Sequence, residues 1–145
     1  MNRLLPISTN RDYRGSPFAA YFLLLLGIGW VIPGLIHVFL PDGGAGVIAG
    51  IDLGSNPAAL IGAFAWAGST QIAHGLVMIA IAAWYRPLVP MLLAVSLVER
   101  GLLTLTAWVT KSSPSGHHPP EHYASALLVP LILLFLWLSL RQKQR

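Results

Sequence analysis

Apolar residues fall along the chain in four long runs, at about residues 17–40, 57–85, 87–110 and 120–140, each bounded by turn residues or charge. Crossing the ~30 Å hydrocarbon layer of a bilayer takes roughly 20 apolar residues at ~1.5 Å of rise each, and all four runs reach that length. The second is long enough to tilt or to project beyond the lipid. The pattern predicts an all-α fold: a polytopic membrane protein built as a four-transmembrane-helix bundle. Each run opens on proline, at Ser16-Pro17, Asn56-Pro57, Arg86-Pro87 and Pro119-Pro120. Proline is tolerated at a first helical position because that N–H has no intrahelical acceptor. Ser16 and Asn56 are placed to cap first-turn amides with a side-chain oxygen.

The runs divide the chain into a polar lead at 1–16, one transmembrane domain at 17–140 and a basic tail at 141–145. Arg3, Arg11, Arg14, Arg86, Arg141, Lys143 and Arg145 all fall at one end of the predicted bundle, and Lys111 alone at the other, beside Asp42, Asp52 and Glu121. The positive-inside rule therefore puts both termini in the cytoplasm, which requires an even number of spans. Tyr21, Trp84, Tyr85 and Trp137 form an aromatic belt at the cytoplasmic boundary, with Trp66, Trp108 and Tyr123 at the outer one. Trp30 fits neither. The first run is too long for the h-region of a secretory signal, so it is expected to be retained.

Composition reinforces this picture. The chain is 55% hydrophobic and 10% charged, with a mean hydropathy of +0.68, well above a soluble domain of 145 residues. The net charge of +4 follows from topology and from attraction to anionic lipid, so the partner it implies is the bilayer and not nucleic acid. The absence of cysteine excludes disulfides, thiolate-bound metal and dithiol redox chemistry.

Small residues mark the faces expected to pack, because apolar side chains gain little by leaving apolar lipid. Gly27, Trp30, Gly34 and His37 share one stripe of the first helix, and Gly68, Gln71, Gly75 and Met78 one stripe of the second. Pro33, Pro90 and Pro130 are expected inside helices, as kinks. The loop PDGGAGVIAGIDLGSN carries Val47, Ile48, Ile51 and Leu53, which are expected to pack on the bundle mouth or dip into the interface. It lacks the Lys and Ser/Thr of a phosphate-binding loop.

Chemistry concentrates in SLVERGLL at residues 96–103, where Glu99 and Arg100 lie near the middle of the third run. A charge buried at mid-membrane costs about 2.5–3.5 kcal/mol on insertion scales and must be compensated. Gln71 and His74 reach the same depth on the second helix, so a polar centre of Gln71, His74, Glu99 and Arg100 is expected, with Trp30 as a wall and His37 as an outer neighbour. Glu99 is expected to face Gln71 and His74, with Arg100 curling back to Glu99 or capping a neighbour's carbonyls. Such a centre can pin helix register, hold a quinone-like carbonyl, or, with Glu99 and His74 as catalytic acid and base, exchange protons with a lipophilic substrate. The segment SGHHPPEHY is read first as the start of an interfacial helix, with Glu121 favoured by the positive end of its dipole, and second as a surface zinc or copper site from His117, His118, Glu121 and His122. Its spacing matches the H-x-x-E-H of certain metallopeptidases, but Pro119 and Pro120 are expected to break the turn that would bring the two imidazoles together.

GIGWVIPGLIHVFLP in the first helix, GSTQIAHGLVMIAIAAWYRP in the second and LVERGLL in the third together resemble the DoxX-like group of small four-helix membrane proteins, over about residues 18–138. The resemblance implies a multi-pass protein of the bacterial cytoplasmic (inner) membrane, associated in some members with redox or quinone-linked enzymes. Where a carboxylate is expected in the second helix of such proteins, this chain has Gln71. The functional expectation is an accessory subunit, or a binder of a small lipophilic molecule such as a quinone, with a membrane-protein partner or a second copy of itself. The alternatives are the acid–base enzyme and a purely structural polar network.

Overall fold

In the computed structural model, which describes residues 5–112 and 116–141, four helices dominate: α1 (Pro17–Phe39), α2 (Pro57–Trp84), α3 (Val89–Leu105) and α4 (Pro120–Leu140). A 3-10 turn at Arg86–Leu88 leads into α3 and a π-helical segment at Thr106–Thr110 prolongs it. With those extensions the third rod runs Arg86–Thr110, and all four rods are long and apolar enough to cross a membrane. There is no strand among the described residues. Arg3, Lys143 and Arg145, which entered the charge count above, lie outside them.

The helix starts coincide with the prolines, but not through side-chain capping. Neither Ser16 nor Asn56 makes a cap hydrogen bond. Proline at N1 has already removed one amide that would need an acceptor. Pro90 is also not an internal kink: the 3-10 turn takes up the first residues of the run and leaves Pro90 as the second residue of α3, so only Pro33 and Pro130 interrupt helices.

α1 and α2 pack closely along the predicted small-residue stripes. A Cβ built on Gly27 would stand 2.8 Å from the Gly75 carbonyl oxygen, and one on Gly75 2.6 Å from that of Gly27. Gly34 and Gly68 repeat the arrangement two turns along, at 2.9 and 2.7 Å. Only hydrogen fits at these four positions. α3 and α4 form a second pair, and the two pairs meet chiefly where α1 lies against α4. There Leu23, Met78, Leu93 and Ile132 are fully buried and Phe22 stacks on Phe135 at 4.0 Å.

The lead is tied to the termini end of the bundle. Asn10 Nδ2 donates to the Ala83 carbonyl at 2.7 Å while its Oδ1 accepts from Arg86 N–H at 3.0 Å, so one side chain serves both sides of the α2 C-terminus. The Thr9 amide and the Ser8 hydroxyl both donate to the Trp84 carbonyl. Tyr85 OH donates to the Pro6 carbonyl at 2.8 Å.

At the other end, the α1–α2 loop packs over the bundle mouth, with two of the four residues expected there, Ile48 and Ile51, lining a cavity. Ala45 and Ala49 are buried, whereas Val47 is 83% exposed. Asp42 organises the loop by accepting backbone N–H bonds from Gly44, Gly46 and Val47 at 2.8–3.0 Å, while Gly43 and Gly44 adopt φ of +63° and +76°. That tight turn favours small residues inside and leaves Val47 outermost.

Candidate functional site

Trp30, midway along α1, joins the two helix pairs. Its indole N–H donates to Glu99 Oε1 at 3.2 Å, and its ring carries the Arg100 guanidinium carbon 3.7 Å from the centroid. Consecutive residues of a helix point about 100° apart, so one flat side chain between them is able to touch both. His74 Nδ1 of α2 lies 3.3 Å from Glu99 Oε2, and Arg100 Nη2 lies 3.6 Å from Glu99 Oε1. Three of the four residues expected at the polar centre, with Trp30 as their wall, are thus brought together.

Arg100 differs from expectation in its main partners. Besides Glu99, its Nη1 donates to the Glu121 carboxylate and, at 3.0 Å, to Ser125 Oγ. Glu121 and Ser125 are four residues apart and so share one face of the first turns of α4. Two carboxylates therefore flank one guanidinium that is only 4% exposed. Glu121 sits in the first turn of α4, at the positive end of the helix dipole where the sequence places it; its pairing with Arg100 was the feature missed. The available signal was the i, i+4 spacing of Glu121 and Ser125 on an otherwise apolar helix.

Gln71 does not join Glu99. It lines a cleft of about 400 Å³ between α1 and α4, together with Arg100, Glu121 and the apolar side chains of Phe22, Leu25 and Leu128. Two buried polar atoms of this cleft's lining residues have no hydrogen-bond partner, Arg100 Nε and Gln71 Oε1. His74 and Glu99 do not line it.

His37 lies apart from the cluster. Its Nδ1 is 2.6 Å from the Gly43 carbonyl oxygen and its ring packs edge-on against Phe64. It borders a larger cavity of about 590 Å³ between the α1–α2 loop, α2 and the start of α4. Pro33 and Glu121 border both spaces.

The four residues considered for zinc or copper disperse. Glu121 is paired with Arg100 and His117 Nε2 with the Ala49 carbonyl. His118 and His122 nevertheless approach to 3.1 Å between their Nδ1 atoms, contrary to the expectation that the prolines would separate them. The reason is that His118 precedes the helix and folds back over Trp108, stacking at 4.0 Å. Among the described residues, no group of three or more His, Cys, Asp or Glu is placed to hold one ion. Compared with protein-family models, with curated proteins and with solved structures, the chain matches none.

Proposed function

We propose that this is a DoxX-like integral membrane protein of the bacterial cytoplasmic membrane, with both termini inside. In this reading it binds a small lipophilic molecule with a carbonyl head, of quinone type, in the α1–α4 cleft. Membrane residence is supported by the apolar belt that all four helices expose, including Leu25, Ile32, Val77, Val98, Leu102 and Leu127, a surface too extensive to leave in water.

The observation that carries the ligand reading is the Arg100 Nε–H, a buried donor with no acceptor, on a side chain that lines a cleft whose other walls are mainly apolar apart from Gln71 and Glu121. Leaving such a donor unmet costs about 1–3 kcal/mol, and hydrocarbon offers no water to meet it. A ligand carbonyl supplies the acceptor while its ring or tail lies along Phe22, Leu25 and Leu128. Glu99, held by Trp30 and His74, then positions the guanidinium and does not touch the ligand. This favours an accessory or carrier component over the acid–base enzyme, because His74 and Glu99 lie off the cleft. The membrane-protein partner such a component would serve belongs to the same proposal.

The test is decylubiquinone binding in nanodiscs, read by quenching of tryptophan fluorescence with Trp30→Phe as reference. Saturable quenching that disappears in Trp30→Phe and weakens at least about tenfold in Arg100→Lys is expected. Quenching equal to that of empty-bilayer partitioning would overturn the reading.

A further inference from the structure

The larger cavity, at the end of the bundle where α1 stops and α4 starts, offers an acceptor where Arg100 offers a donor. A carbonyl oxygen can only accept, so the 2.6 Å contact between His37 Nδ1 and the Gly43 oxygen fixes the ring proton on Nδ1. The polar atom left to a neutral His37 is Nε2, whose lone pair accepts and has no partner among the described residues. The other ionic group on the cavity wall, the Glu121 carboxylate, also accepts only and is already paired with Arg100. His122 is turned through Nδ1 toward His118. The rest of the lining is mainly apolar, with Ile36, Ile48, Phe64 and Leu103 among it. At about 590 Å³ the space lies within the roughly 300–1,000 Å³ typical of small-molecule sites.

From this geometry we infer that the cavity is a second binding site, for a neutral lipophile bearing a hydroxyl group, with His37 Nε2 accepting the hydroxyl hydrogen bond. A charged head is disfavoured because the walls are apolar and Glu121 has its counter-charge. The site does not rest on the Arg100 cleft: its hydrogen-bonding atom, His37 Nε2, borders a different cavity and meets a donor, whereas Arg100 Nε meets an acceptor. Gly43 acts as the positioning residue: its carbonyl, presented by a backbone at φ +63°, sets which nitrogen of His37 faces a ligand.

The test compares 4-octylphenol with its methyl ether, 4-octylanisole, which has the same shape but cannot donate. Equilibrium dialysis against protein-loaded nanodiscs, corrected for uptake by empty nanodiscs, gives the preference between them. The wild type is expected to prefer the phenol by about tenfold. His37→Asn keeps a donor near the Nδ1 position for the Gly43 carbonyl but has nothing at Nε2, and should lose the preference. His37→Gln places an amide oxygen near Nε2 and should keep part of it. Equal binding of phenol and ether by the wild type overturns the proposal, as does an unchanged preference in His37→Asn. Should His37→Asn not fold, the long-range ¹H–¹⁵N spectrum of wild-type histidines decides: the unprotonated Nε2 resonance of His37 must move on adding octylphenol and stay put with octylanisole. Because decylubiquinone is read separately, loss of one site leaves the other standing.

Discussion

Replacing Gly75 by alanine tests whether backbone contact holds α1 against α2. The added Cβ would stand 2.6 Å from the Gly27 carbonyl oxygen, 2.8 Å from Val31 Cγ2 and 3.0 Å from Trp30 Cβ. Ordinary contact begins near 3.4 Å, so the helices must part by about 0.8 Å at this point, and the nearest obstruction is backbone that cannot rotate aside. Overpacking of this kind costs about 1–3 kcal/mol, against a gain of roughly 1 kcal/mol in helix propensity for glycine to alanine. The net expectation is a loss of up to about 2 kcal/mol. Gly62 supplies the internal control, since a Cβ there meets nothing within 4 Å, and Gly62→Ala should be neutral or stabilising by up to about 1 kcal/mol. The assay is thermal unfolding in one detergent, followed by size-exclusion chromatography of heated samples, where 1 kcal/mol corresponds to about 3 °C for a chain of this size. Gly75→Ala melting at or above Gly62→Ala would refute the claim that the glycine stripe sets helix separation.

Arg100→Met should destabilise by about 3–5 kcal/mol, because it strands Glu99 and Glu121 without their shared cation; adding Glu121→Gln should recover part of the loss, and strictly additive melting shifts would show that the pair is not coupled. Asn10→Ala removes both bonds across the α2 C-terminus and should cost about 1–2 kcal/mol, seen as faster hydrogen exchange at the Arg86 amide with the helix interiors unaffected. Backbone N–H bonds from Val47 and Gly44, and then Gly46, hold the Asp42 carboxyl below its ordinary pKa. A carboxyl lowered in the folded state stabilises the loop fully above its ordinary pKa, and that contribution fades as pH falls through the lowered value. Amide protection at Gly44, Gly46 and Val47 should therefore drop below about pH 4 in the wild type, and Asp42→Asn should abolish that pH dependence.

The four helices could be read from sequence because hydropathy and proline placement are local properties, and the glycine stripes because a helix fixes which residues share a face. Helix rotation about the bundle axis is not local. It decided that Gln71 would line the α1–α4 cleft while His74 met Glu99, although the two are only three residues apart. The partner of Glu121 was hidden for a related reason: its sequence neighbours are histidines, and only the pairing of α3 with α4 brings Arg100 to it. The lead's attachment at Asn10 depends on carbonyls freed at the end of α2, which no side-chain pattern displays. The contact between His118 and His122 arises from a chain reversal before the helix, outside the reach of helical periodicity.

Trp30 has a mechanical consequence. Within each helix pair the contact is close, through facing glycine backbones in one and the Arg100–Glu121–Ser125 bonds in the other; between the pairs one indole meets both charges of α3, alongside the His74–Glu99 contact. The molecule is built as two stiff leaves with a polar latch on the seam, and the latch side chain also forms one wall of the α1–α4 cleft. A ligand in the cleft, as proposed, that turned the indole would loosen Glu99 and Arg100 together, and so couple the proposed site to the seam between the leaves.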